Sequence, residues 1–195
     1  FKGTRINTSL SGDLDGKDVS ENSTRTGYYL KKLLREDINL NPVNTTTLNH
    51  YTAMIRYTEI FLIYAEAANE AWGPDGKAPN ATYSAKDVIA AIRKRAGITQ
   101  PDNYLASVTD KQTMRELIRN ERRIELSFEG FRFWDLRRWK LDLTESAKGI
   151  NIDEVGFYYV EVEPRIYDNS FMHYGPIPEK EVLKFDKLVQ NKGWH

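Results

Sequence analysis

The strongest pattern in the chain runs from Arg56 to Trp72, where Ile60, Phe61, Leu62, Ile63 and Tyr64 are followed by Ala65, Ala67, Ala68 and Ala71. Apolar positions fall on nearly every side of a helix drawn through this stretch. The spacing therefore predicts a helix inside a helical array, with alanines that let a neighbour approach closely. Gly73-Pro74-Asp75-Gly76 ends it. Ser84 then stands where an N-cap belongs, with Asp87 in the first turn, and Val88, Ile89 and Ile92 recur at helical spacing until Gly97. Two helices joined by a loop make an αα-hairpin like one unit of a tetratricopeptide array. A third helix is predicted from Thr109 or Asp110 through Met114, Leu117, Ile118, Ile124 and Phe128 to Gly130, and a fourth from Phe131 to Trp139.

Elsewhere the pattern is weaker. Phe1 to Asn22 is irregular, with Gly3, Gly12 and Gly16 among Ser, Asn and Asp, and a short extended piece is expected at Thr26 to Lys32. Asp37 to Asn49 is Asn- and Thr-rich around Pro42 and reads as a loop. Phe157 to Glu163 is aromatic and β-branched, as in one arm of a hairpin, and Glu179 to Asp186 reads as a short helical turn. The fold expected is mainly α, a tetratricopeptide-like helical array with irregular loops and a short β-hairpin. The loops Phe1 to Asn22 and Leu141 to Asn151 lack a packing period and are the candidate docking surfaces for a partner.

Composition narrows the function. A length of 195 residues fits one domain, 1–195, with a core of its own. Lys plus Arg number 28 and Asp plus Glu number 28, so no net field attracts polyanions, and no nucleic-acid partner is expected. Cysteine is absent and histidine occurs three times, which excludes a thiol nucleophile or a Cys-built zinc site in this chain and makes a His-rich one improbable. No cofactor and no metal are expected. No run approaches the roughly 20 apolar residues that span a bilayer. The opening Phe1-Lys2-Gly3-Thr4-Arg5 has neither Met nor the apolar core of a signal peptide, as expected of a piece of a longer protein.

Aromatic residues are abundant, at 12%. Phe131 to Phe133, Trp134 and Trp139 fall at helical spacing and read as core. Tyr28, Tyr29, Tyr51 and Trp72 border loops, where a ring face can stack on a sugar, and they are the candidate ligand-binding residues.

The third helix carries a conflict. With Met114 at zero and about 100° per residue, Glu121 and Glu125 fall in the same stripe as Leu117 and Ile118. One reading makes them the acid and base of a glycoside hydrolase. The other makes them a buried ion-pair network docking the helix, with Arg93, Arg95, Arg122, Arg132, Arg137 and Arg138 as available partners. The second is favoured, because helical neighbours pointing together into a core do not flank an open cleft. The expected network takes in Glu121, Arg122, Glu125, Glu129, Arg132, Asp135 and Arg137. No Glu-x-x-His pair, Gly-rich phosphate loop, G-x-S-x-G or HExxH occurs, and catalysis is not expected.

Four segments resemble a known family in order along the chain. Arg56-Tyr57-Thr58-Glu59-Ile60-Phe61-Leu62-Ile63-Tyr64-Ala65-Glu66-Ala67 looks like the R-x-x-E-x-x-L-x-x-A-E-A helix of the SusD/RagB family. Ala91 to Ile98 resembles its I-R-x-R-A-G segment, and Ile118 to Trp139 its E-R-R-x-E-L-x-F-E-G-x-R-x-x-D-L-x-R stretch. Pro176-Ile177-Pro178 with Gln190-Asn191-Lys192-Gly193-Trp194 is similar to its C-terminus. The resemblance implies the C-terminal portion of an outer-membrane, cell-surface lipoprotein that binds an oligosaccharide or peptide and passes it to a SusC-like TonB-dependent transporter. It also implies that membrane contact is through a lipid anchor on a cysteine not in this chain. A helical-repeat adaptor is the reading that the hairpin alone would support.

Overall fold

Helix α1 (Tyr57–Trp72), α2 (Ala85–Arg95), a short α3 (Asn103–Ser107) and α4 (Lys111–Glu125) pack around one apolar cluster. The computed structural model describes residues 3–194. They form a mainly α fold with one two-stranded antiparallel sheet, and they divide into two compact units. One unit is Tyr51–Trp134; the other joins the residues through His50 to those from Asp135 onward.

In the first unit, α1 and α2 form the expected αα-hairpin and α4 packs against both. Leu62, Ala65 and Ala68 of α1 meet Val88, Ile89 and Ile92 of α2 and Met114, Leu117 and Ile118 of α4, all buried. The small alanines allow this approach. Asn69 is buried with them because its Nδ2 donates to the Lys111 carbonyl at the start of α4, at 2.9 Å. Ser84 caps α2 with a full capping box: its Oγ accepts from the Asp87 N–H at 3.1 Å while the Asp87 carboxylate accepts from the Ser84 N–H at 2.9 Å. Asp102 and Asp110 cap α3 and α4 without the reciprocal bond, Asp102 accepting from the Leu105 N–H and Asp110 from those of Gln112 and Thr113.

Two expectations are corrected here. α1 is not enclosed: Ile60, Phe61 and Ile63 are about half exposed, because the helices that pack on it cover one face. α4 stops at Glu125 instead of continuing to Gly130. Phe128 and Gly130 both take positive φ, 61° and 85°, which turns the chain, and Ile124 and Phe128 point outward, leaving Met114, Leu117 and Ile118 as the apolar stripe.

α5 (Phe131–Arg138) carries the chain into the second unit. There β1 (Ala147–Ile152) pairs with β2 (Phe157–Glu163), Ile150 opposite Tyr159 and Ile152 opposite Phe157. Asp153 closes the turn by accepting from the N–H groups of Val155 and Gly156. β1 was expected to be part of a structureless loop; Gly149 and the charged residues before it hide the strand. N-terminal segments add to its outer edge, with the Leu10 N–H donating to Ile152 O and the Ile150 N–H to Thr26 O, at 2.9 and 2.8 Å. The loop expected over Phe1 to Asn22 is irregular from Gly3 onward, and Phe1 and Lys2 lie outside the described residues. A four-residue α6 (Glu179–Val182) precedes the C-terminal segment.

Candidate functional site

A cavity of about 450 Å³ opens in the second unit beside Tyr29. Its apolar lining is Ile6, Tyr29, Leu30 and Leu34, and its charged lining is Arg5, Asp15, Lys31 and Glu36. The two cations and two anions cancel. Lys31 Nζ lies 3.4 Å from Glu36 Oε1. Such a site offers donors, acceptors and an aromatic face without a net field, which suits an uncharged polyhydroxylated ligand better than an ion.

The sequence between Thr24 and Tyr29 builds this wall through its own hydroxyls. Thr24 Oγ1 donates to the Tyr28 carbonyl at 2.7 Å, and the Tyr28 N–H donates to Thr26 Oγ1 at 3.3 Å. The Thr24 N–H donates to the Tyr29 hydroxyl at 3.1 Å, which fixes the ring. Gly27, at φ 78°, lies so close to β1 that a Cβ there would sit 2.3 Å from Ile150 O. Only glycine allows that approach.

Of the four aromatic candidates, Tyr29 lines this cavity and Tyr28 stands beside it in sequence, exposed. Tyr51 and Trp72 belong to the other unit, Tyr51 83% exposed and Trp72 about half exposed at the end of α1. Phe133 and Trp134, expected in the core, are exposed and pack edge to face on one another at 5.0 Å, whereas Phe131 does pack on the core.

The carboxylates of α4 are held by arginines. Arg93 Nη1 donates to Glu121 at 2.6 Å and its Nε to Asp102 at 2.5 Å. Glu125 is paired with Arg95 and, at 3.5 Å, with Arg56. Arg56 also forks onto Glu129, with both hydrogen bonds at 2.8 Å, and donates to the Glu125 carbonyl. Arg93 and the α3 N–H groups hold the Asp102 carboxyl below the usual carboxylate range. Arg122 is buried with its guanidinium 5.9 Å from the Phe131 ring centre, and Arg132 is half-buried. In the other unit, Arg138 pairs with buried Asp135 at 2.7 Å and Arg137 lies over the Tyr167 ring. Neither Glu121 nor Glu125 lines the cavity. Among the described residues, no group of three or more His, Asp or Glu side chains is placed to hold a metal ion, and no helix is long and apolar enough to cross a membrane.

Comparison with known proteins decides the family. The model of the SusD family matches residues 4–194. The chain belongs to the SusD family. SusD-like protein P25 of Formosa agariphila is 36% identical over 113 residues, covering 57% of this chain and 19% of the relative. SusD-like protein P2 of the same organism is 28% identical over 141 residues, covering 70% and 24%. A SusD-like protein from Bacteroides fragilis superposes with a TM-score of 0.57 at 31% identity, over 72% of this chain and 25% of that one. A SusD homolog from Bacteroides thetaiotaomicron shares the fold, with a TM-score of 0.51 at 23% identity over 78% and 30% of the two chains. The chain thus spans 19% and 24% of the two curated relatives.

In this SusD-family chain the charged motif has a mechanical meaning. Its glutamates close ion pairs with Arg56, at the foot of α1, and with Arg93 and Arg95 on α2. Arg56 was absent from the partners considered from sequence, although it opens the first of the four family-like segments. The other cavity-lining residues were also missed, since Ile6, Leu30 and Leu34 share no period. The one local signal was Gly27, a glycine set among threonines and tyrosines.

Proposed function

We propose that the protein to which this chain belongs binds a neutral oligosaccharide at the cell surface, without cleaving it, and passes it to a SusC-like TonB-dependent transporter. A lipid anchor outside this chain holds it to the outer membrane in this reading. The observation that carries the proposal is the charge-balanced cavity with the fixed Tyr29 ring on its wall, in a chain of the SusD family. Tyr28, Tyr51 and Trp72 are the further ring faces assigned to ligand. The pairing of Glu121 and Glu125 with arginines, away from the cavity lining, supports binding over hydrolysis.

Calorimetric titration of the full-length protein against a panel of neutral oligosaccharides tests this. Binding that Tyr29→Ala weakens at least tenfold supports it. Binding to peptides alone replaces the ligand class, and binding to neither overturns the proposal. Co-purification of a TonB-dependent transporter with the full-length protein tests delivery.

A further inference from the structure

The second unit contains another cavity, of about 480 Å³, within the range of small-molecule sites. The loop after α5 supplies Lys140 and Asp142, and the segment after β2 supplies Asn169, Ser170, Phe171, His173 and Tyr174.

Its polar groups are held in place. Asp142 Oδ1 accepts from the Thr144 N–H at 2.8 Å, the Thr144 hydroxyl at 2.6 Å and Asn169 Nδ2 at 2.8 Å. Oδ2 takes no hydrogen bond from the described residues, so the carboxylate is fixed by one oxygen and offers the other. Asn169 Oδ1 is fixed in turn by the Leu143 N–H at 2.9 Å. His173 Nε2 lies 3.1 Å from the Leu141 carbonyl, so the ring N–H is on Nε2 and Nδ1 is an acceptor in the neutral ring. The Ser170 side chain is hydrogen-bonded to the Asp168 carboxylate, whereas the Tyr174 hydroxyl and Lys140 Nζ make no hydrogen bond with the described residues.

The aromatic side is braced by the C-terminal segment. Phe171 packs edge to face against Trp194 at 5.2 Å, and the Trp194 indole N–H donates to the Tyr174 carbonyl at 2.9 Å. Gln190 exchanges two hydrogen bonds with the Ile177 backbone, and Asn191 donates to Gly175 O. A Cβ on Gly193 would sit 2.3 Å from the Phe171 ring. The Gln190-Asn191-Lys192-Gly193-Trp194 segment therefore forms the back of this wall.

We propose that this cavity is a second carbohydrate subsite that holds one uncharged pyranose ring. A pre-fixed carboxylate oxygen, the Tyr174 hydroxyl and an ammonium can meet the alternating hydroxyls of a sugar, and Phe171 and Tyr174 face its C–H surface. The charges of Lys140 and Asp142 cancel, and an ion of either sign would meet one of them unfavourably. The proposal rests on the reading of the protein as a sugar binder, and adds to it a site built by the C-terminal segment.

The test is a titration of the isotope-labelled chain with methyl glucopyranoside, galactopyranoside and mannopyranoside, followed by amide NMR. The result expected is saturable shifts at Lys140–Asp142 and Asn169–Tyr174 for at least one sugar, weakened fivefold or more by Asp142→Asn, which keeps an oxygen for Thr144. Tyr174→Phe removes a hydroxyl without a partner among the described residues and should weaken binding with unchanged thermal unfolding. Shifts confined to residues 4–36 overturn this subsite while supporting the Tyr29 cavity. Absence of shifts with every pyranoside, or shifts that both variants leave intact, overturn it too. The oligosaccharide titration of Tyr29→Ala judges the first reading separately.

Discussion

Arg93 on α2 donates to Glu121 on α4 at 2.6 Å while its Nε reaches Asp102, the cap of α3, at 2.5 Å. One guanidinium thereby ties three helices whose apolar contacts alone leave the polar edge of the core open. Both side chains of the Arg93–Glu121 pair are largely buried, at 14% and 9% exposure. Removing one charge leaves the other desolvated. Glu121→Gln is expected to cost about 1–3 kcal/mol of stability, read by urea or thermal unfolding. An unchanged unfolding midpoint, with loss of some hydrolytic turnover, would restore the catalytic reading of this carboxylate.

Arg56 does similar work at the other end of α4. Its fork on Glu129 and its bond to Glu125 O pin the turn that follows the helix. Arg56→Ala should destabilise by about 1–3 kcal/mol. Arg56→Lys should recover only a minor part, because an ammonium cannot present two parallel donors to one carboxylate. Equal stability of the lysine variant and the parent in chemical denaturation would show that charge alone suffices.

These pairs mark what was legible in the sequence. Ser84 and Asp87 carry a local, short-range instruction, and α2 begins where they place it. Met114, Leu117 and Ile118 likewise fix the buried face of α4 by spacing alone. Spacing failed at Phe128, which continues the apolar period but adopts φ 61° in a turn that Arg56, from outside the segment, holds through Glu129. It failed again at β1, where the edge partners are Thr26 and Leu10, distant in sequence. The Tyr29 cavity was legible as an aromatic beside a loop, but its other walls come from three separate stretches, Thr4–Ile6, Asp15 and Leu34–Glu36, which no local pattern connects.

The second cavity predicts a pH response. Hydrogen bonds from Thr144 and Asn169 lower the Asp142 carboxyl from 3.8 to about 2. A folded-state value below the unfolded one means that this contribution is complete above 3.8 and disappears as pH falls toward 2. The Thr144 amide and the Asn169 side-chain amide should therefore hold constant NMR shifts from neutrality down to about pH 4 and move together below it. In Asp142→Asn that movement should vanish. Titration of the Asn169 amide near neutral pH in the parent would contradict the assignment.

The ability of the first cavity to form turns on a single missing carbon. Gly27 sits at φ 78°, and an added Cβ would lie 2.3 Å from Ile150 O and 2.9 Å from Ile150 Cγ2. Backbone cannot yield as a flexible side chain can, so Gly27→Ala must push the Thr24–Tyr29 segment away from β1 and break the Ile150 N–H bond to Thr26 O. Positive φ adds strain for an L residue, and the combined cost is expected at about 1–3 kcal/mol. Because Tyr29 is carried on this segment, oligosaccharide affinity should fall with stability. The matched control is Gly3→Ala, also at positive φ but with open space around the new carbon. It isolates strain from collision. Calorimetry and thermal unfolding of both variants should show the larger loss, and the loss of binding, only at Gly27; equal effects would place the cost in backbone strain instead of the contact with β1.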